Sequence, residues 1–276
     1  QMEGEHYQNA RYEDLRPVSQ AYIHRCHMRV KQQLKPAGRF LLDAGSGPIQ
    51  YPEYLTYSEG YAYRVCADIS IVALQEAETR IGEHGLFVVA DVANLPFAPG
   101  VFEGVVSLHT LHHLPSEEQP RAYRELYRVL APQSSAVVVN GWTESPFMRR
   151  MQPLVSLMER LFKHKNDLSE KARKQAEELD RKAKASGEEP VAECGKRPTG
   201  TFVRKLNAEG LRRELGGEMQ LEILPWRSVS VRFLRAVIHD PLLGRLWLRL
   251  LFWLEERYPK YFGEKGQYPM VVIRKK

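Results

Sequence analysis

Three apolar runs in this chain each end in an aspartate. Phe40-Leu41-Leu42 leads into Asp43, Tyr63-Arg64-Val65-Cys66-Ala67 into Asp68, and Leu86-Phe87-Val88-Val89-Ala90 into Asp91. Successive acids lie a little over twenty residues apart, about one strand-helix repeat of a parallel α/β sheet. Acids at the carboxyl ends of neighbouring parallel strands converge on one crevice, where open α/β sheets take ligands. The first run passes at once into Ala44-Gly45-Ser46-Gly47. Such a turn lets a ligand lie against bare backbone, and glycine is needed because a Cβ would block both the turn and the approach. Ile49 stands where a G-x-G-x-G run would place its last glycine, so the dinucleotide fingerprint is incomplete.

Taken together, four segments carry a resemblance. Asp43-Ala44-Gly45-Ser46-Gly47 is followed by Ala67-Asp68-Ile69-Ser70, by Ala90-Asp91-Val92-Ala93-Asn94-Leu95-Pro96-Phe97, and by Val105-Val106-Ser107-Leu108-His109-Thr110-Leu111-His112-His113-Leu114. The set resembles the class I S-adenosylmethionine-dependent methyltransferases, most closely the small-molecule branch that includes the ubiquinone/menaquinone-biosynthesis-type enzymes. It covers about residues 38 to 140. The resemblance implies a Rossmann-like, seven-stranded, mostly parallel sheet with helices on both faces, its last two strands an antiparallel pair, plus a helical cap.

Hydropathy patterning supplies the remaining organisation. Residues 8 to 35 read as a helical segment ended by Pro36 and Gly38. Strands are expected near 39–43, 62–67, 86–90, 102–107 and 135–140. Between the last two, a helix over 117–130 carries Leu126, Val129 and Leu130 and is closed by Pro132. Phe147 to Phe162 is amphipathic, with Met148, Met151, Leu154, Val155, Met158 and Leu161 on one face. Residues 163 to 190 are dense in Lys, Glu, Arg and Ala and read as a solvated helix or arm. Asn207 reads as the N-cap of a helix ending before Gly216-Gly217, followed by strands over 221–231 and 268–273. An apolar helical stretch over 241–258 lies between them. The domain plan is thus an N-terminal segment 1–37 over the cofactor, a core of 38–145 and 201–276, and a charged cap of 146–200.

The resemblance assigns roles. The amides of Gly45, Ser46 and Gly47 would meet the amino-acid tail of the cofactor, with Asp43 acting indirectly near the ammonium. Asp68 would accept from both ribose hydroxyls, a bidentate task suited to a carboxylate. Ile69 would pack on the adenine, Asp91 accept from its amino group and Val92 donate to its ring. Asp91 has a second reading as a helix N-cap. Ser107 and Tyr12 complete the cofactor set. His109 lies at the strand end, where an imidazole can take a proton from a hydroxyl acceptor, whereas His112 and His113 read as structural. Tyr7, Tyr12 and Tyr22 either cover the cofactor or pack as helix. Arg11 and Arg16 either meet an anionic acceptor or are solvated. Trp247, Phe252 and Trp253 read as core, a dimer interface, a greasy entry wall or a membrane-surface contact flanked by Arg245 and Arg249.

With 43% hydrophobic and 27% charged residues the composition is that of an ordinary globular protein. Cys26, Cys66 and Cys194 are far apart and in no metal-ligand spacing, so a reducing cytoplasm is expected, with neither a disulfide framework nor a metal site. No segment is apolar and long enough for a membrane span. The opening Gln1-Met2-Glu3-Gly4-Glu5-His6 has no apolar signal region, so secretion is not expected. The net charge of +6 is distributed among acids, which argues against nucleic acid as substrate. The expected reaction is methyl transfer from S-adenosylmethionine to a small, partly hydrophobic acceptor, with oxygen slightly preferred over carbon or nitrogen. One rival is a nucleic-acid or protein methyltransferase using the basic insertion. The other is a nicotinamide-dependent oxidoreductase or a non-catalytic nucleotide-binding module.

Overall fold

The computed structural model describes residues 13–162 and 207–276, with the backbone of two short paired strands, Met2–Glu3 and His6–Tyr7. Tyr12, Arg11, Cys194, the side chain of Tyr7 and the charged arm over 163–190 lie outside the described residues.

Seven strands form one sheet: β1 (Gly38–Ala44), β2 (Tyr61–Asp68), β3 (Gly85–Val89), β4 (Phe102–Leu108), β5 (Leu130–Val139), β6 (Gln220–Arg227) and β7 (Tyr268–Arg274). Their spatial order is β3-β2-β1-β4-β5-β7-β6. The first five strands run parallel, whereas β7 is antiparallel to both β5 and β6. The expected antiparallel closing pair is therefore present. Because β7 reverses direction twice over, β6 runs the same way as β4. The end of β6 and the beginning of β7 thus share the edge at which β1, β2 and β4 end.

Side-chain alternation divides the apolar residues between the two faces. Leu42, Ala44, Val105, Ala136 and Val138 pack toward α4 (Gln119–Val129) and α6 (Ala208–Leu215), which contribute Tyr123, Leu126, Leu211 and Leu215. Leu41, Cys66, Val106, Val137 and Val139 face Val30 and Leu34 of α1 (Pro17–Gln33), Tyr54 of α2 (Pro52–Leu55) and Leu74 of α3 (Ile71–Ile81). Each fully buried Leu or Val in these layers contributes about 1.5–3 kcal/mol. A third cluster joins α1 to α5 (Pro146–Phe162), α7 (Val231–Val237) and α8 (Gly244–Arg257) through Val18, Tyr22, Val155, Leu234 and Phe252. The short helix α9 (Pro259–Lys265) leads into β7.

Helix starts follow local chemistry. Ser70, Asn207 and Ser230 accept from the amides of Ala73, Gly210 and Phe233 at 3.3, 2.7 and 3.1 Å, each cap worth about 1 kcal/mol. Pro17 opens α1, where its missing N–H has no intrahelical partner to lose.

Three expectations need correction. Pro132 does not close α4: the helix ends at Val129 and β5 begins directly at Leu130, with Gln133 at φ 55° absorbing an irregularity. The strand expected over 221–231 stops at Arg227, because Ser230 is needed as the cap of α7. The apolar face expected on α5 is covered only in part. Among the described residues Val155 is buried, but Leu154 and Leu161 are exposed.

Candidate active site at the carboxyl edge of the sheet

The turn after β1 is fixed from three sides. Gly45 and Ser46 donate to the Ala67 carbonyl at 2.6 and 3.3 Å, and Gly47 donates to the Asp68 carboxylate at 2.9 Å. Thr110 closes the turn from β4, its hydroxyl donating to the Gly45 carbonyl at 2.9 Å. The amides of Gly45, Ser46 and Gly47 are thus all engaged by the end of β2. Gly45 has φ +73°, and a Cβ there would lie 2.1 Å from Thr110 Cγ2. Gly47 has φ +53°, and a Cβ there would meet nothing within 4 Å. One glycine is required by the protein's own packing. The other faces open space. Ile49 also takes a left-handed φ of 54°. The residue in the place of the fingerprint's last glycine thus adopts a glycine-like conformation, at a cost of about 1–2 kcal/mol.

Asp43 is buried and paired with the buried Arg64, which also donates to the Tyr54 carbonyl. Burial raises the Asp43 carboxyl pKa, opposed by the Arg64 charge. Asp43 thus anchors β1 to β2, and any influence on a ligand is indirect. Asp68 ends β2, and its carboxylate accepts from both Gly47 and Ser70, each at 2.9 Å. Ile69 beside it is 79% exposed. Asp91 is exposed and accepts from Ala93 at 2.9 Å, capping a turn over 91–94 rather than a helix. Val92 is buried. Ser107 is fully buried and donates to the Ala44 carbonyl at 2.8 Å. Its hydroxyl therefore joins β4 to β1 and is not presented to the crevice, which corrects its place in the cofactor set.

Beyond β4 the backbone turns left-handed at His109, φ 56°, an uncommon conformation for a residue other than glycine. Its amide donates to Val139 at 2.7 Å. Its ring lies edge-on to Trp226 and Tyr268, with centroids 5.0 and 5.9 Å away. His112 faces Asn140 at 3.2 Å and tilts against His113, consistent with a structural pair. Trp226 is also stacked on the buried His27, which lies against Tyr51 and Tyr54. An aromatic wall thus stands beside His109 at the crevice edge.

Sequence reasoning missed the charge in this wall. Arg227 is buried and paired with Glu13, which precedes α1. Its guanidinium lies over the rings of Trp226 and Tyr268. No local pattern links two residues 214 apart; only the position of Arg227 at a strand end offered a signal. Arg16 is half-buried and engaged by the protein itself, pairing with Asp14 at 2.7 Å and donating to the Leu234 carbonyl. Tyr22 donates to Glu255 at 2.7 Å and packs on Phe252, which favours its packing role. Phe252 is buried, whereas Trp247 and Trp253 are 59% and 57% exposed, so the three do not form one stripe. Among the described residues no helix is long and apolar enough to cross a membrane.

Comparison with known proteins bears on the same strands. The methyltransferase domain family matches residues 42–138, from β1 through β5. Malonyl-(acyl-carrier protein) O-methyltransferase of Legionella pneumophila is 34% identical over 101 residues, which are 36% of this chain and 35% of that protein. The chain thus matches about a third of that relative's length. The cyclase SpnF shares the fold with a TM-score of 0.53 at 20% identity, over 99% of this chain and 89% of that one. Phosphoethanolamine N-methyltransferase 2 of Haemonchus contortus gives a TM-score of 0.50 at 13% identity, over 90% of this chain and 52% of that one. A methyltransferase domain match is thus laid across β1 to β5, the strands whose acids border the crevice.

Proposed function

We propose that the chain transfers a methyl group from S-adenosylmethionine to a small, partly hydrophobic acceptor, at oxygen in preference to carbon or nitrogen. The observation that carries this reading is the edge itself. Asp68, the bared Ile69, Asp91 and the open side of Gly47 lie along the ends of adjacent strands, beside an aromatic wall. These residues fit the cofactor: a Cβ at Gly47 would intrude on the open space, and Ile69 is an apolar surface left largely uncovered by the described residues. Asp68 would hold the ribose diol, Ile69 the adenine face, and Asp91 with the Val92 amide the adenine edge. When bound, S-adenosylmethionine supplies an electrophilic methyl group on a sulfonium.

The chain's own work is alignment, exclusion of water and movement of a proton. Alignment alone can lower a barrier by about 7–11 kcal/mol. His109 is the base for a hydroxyl acceptor, held in place by its left-handed backbone and the rings of Trp226 and Tyr268. Tyr268 and Tyr51, both partly exposed, supply the apolar surface for the acceptor, backed by the buried Trp226. The relative that acts as an O-methyltransferase supports oxygen as the target.

Thermal unfolding with S-adenosylmethionine, S-adenosylhomocysteine and NAD tests the reading. A ligand at about 100 times its Kd should stabilise the wild type by about 2.7 kcal/mol. Both sulfur nucleotides should do so, and Asp68→Ala should abolish the effect. A shift with NAD alone would overturn the proposal.

A further inference from the structure

The edge holds a second chemical feature, at the end of β6. The Arg227 side chain is 2% exposed, yet its one carboxylate partner among the described residues is Glu13, which comes from the segment before α1 rather than from the sheet. Burial disfavours the Arg227 charge, and the Glu13 carboxylate outweighs burial and raises its pKa. Two donors at this place, Arg227 Nε and Trp226 Nε1, are buried with no hydrogen-bond partner among the described residues. Orphaned buried donors cost about 1–3 kcal/mol each and are rare in folded proteins. Because β6 runs parallel to β4, this cluster faces the same crevice edge as His109, whose ring lies 5.0 Å from that of Trp226.

We propose that Arg227 anchors an anionic group of the acceptor, a carboxylate, and that Glu13 holds that place in the free protein. The proposal rests on the methyltransferase reading and specifies its substrate class. A carboxylate matches the guanidinium fork and brings lone pairs enough for both orphaned donors. The anchored group is distinct from the atom that receives the methyl. Trp226 and Tyr268, on which the guanidinium lies, shield the contact from water and strengthen it. Removing the Glu13 charge leaves Arg227 buried without a counter-ion, so an incoming carboxylate gains most in that background.

Octanoate and octanamide are the probes, an apolar chain with and without the charge. Each is titrated into protein saturated with S-adenosylhomocysteine and followed by calorimetry and thermal shift. Octanoate should bind the wild type, and its Kd should fall by about five-fold or more in Glu13→Gln. The neutral pair Glu13→Gln/Arg227→Gln should not respond, and octanamide should bind none of the three. A Glu13→Gln protein that binds octanoate no better than wild type overturns the anchor, as does equal binding of octanamide. The stabilisation by S-adenosylhomocysteine is read in the same samples. If that shift is absent, the methyltransferase reading itself fails. If it is present while octanoate discriminates nothing, only the anchor fails.

Discussion

The two glycines after β1 should respond to the same substitution in opposite ways. Gly45→Ala forces a left-handed alanine, at about 1–2 kcal/mol, and drives its Cβ to within 2.1 Å of Thr110 Cγ2. Overpacking of this kind adds about 1–3 kcal/mol, so the free protein should lose about 2–5 kcal/mol. Gly47→Ala carries only the backbone penalty, since its Cβ meets nothing within 4 Å. With about 2–4 °C of Tm per kcal/mol, Gly45→Ala should melt roughly 4–20 °C early and Gly47→Ala roughly 2–8 °C early. Ligand adds to the loss at Gly47 and not at Gly45. If the Gly47 methyl weakens S-adenosylhomocysteine binding 100-fold, a concentration giving wild type about 2.7 kcal/mol gives the variant only about 0.4 kcal/mol. Urea titration with and without S-adenosylhomocysteine measures both quantities. Thr110→Gly supplies the control: in that background Gly45→Ala should recover about 1–3 kcal/mol of its cost, apart from the roughly 1 kcal/mol lost with the Thr110 hydrogen bond itself. Equal costs at the two glycines in the free protein, or a Gly47→Ala protein with undiminished ligand response, would refute this division of labour.

Four shorter expectations accompany it. His109→Asn keeps a residue that tolerates the left-handed backbone, so methylation of a hydroxyl acceptor should slow by roughly 10²–10⁴-fold with S-adenosylhomocysteine affinity unchanged. Burial pushes the thiols of Cys26 and Cys66 up to about 12; mass spectrometry after iodoacetamide at pH 8 should find both unmodified until the chain is unfolded. The hydrogen bond from His27, aided by that from His24 and opposed by burial, holds Glu53 down at about 2, against an ordinary 4.5. A depressed carboxyl stabilises the fold above its unfolded pKa, so the Tm advantage of wild type over Glu53→Gln should be full above pH 4.5 and vanish as pH falls toward 2. Trp247→Lys and Trp253→Lys should change stability by no more than about 0.5 kcal/mol, whereas Phe252→Ala should cost about 3–5 kcal/mol; chemical denaturation separates them.

What could be read from the sequence was whatever is local. Asp43, Asp68 and Asp91 marked strand ends because each closes a largely apolar run, and Asn207 marked a helix start because its side chain serves the amide three residues on. The antiparallel closure was legible only through resemblance, since nothing in Tyr268–Ile273 states its direction. Ser107 looked available because a hydroxyl at a strand end ordinarily meets solvent; its engagement with Ala44 depends on a neighbouring strand 63 residues away. Leu154 and Leu161 looked buried because periodicity reveals an apolar face but not how wide a strip of it the neighbouring elements cover. The Glu13–Arg227 pair is the extreme case, two unremarkable charges brought together only by the finished fold.

The position of β7 between β5 and β6 has a consequence for how the molecule comes into being. Synthesis proceeds from β1 to β5 in an order that lets each new strand add near its predecessors. After that, β6 emerges before the strand that receives it, since its partner among the described strands is β7, made after it. Until residues 268–274 leave the ribosome, β5 presents a bare edge of Val137, Val138 and Val139, the kind of surface that invites pairing between chains. The cofactor half of the crevice can therefore mature during translation, while the wall bearing Trp226, Arg227 and Tyr268 comes together only after it.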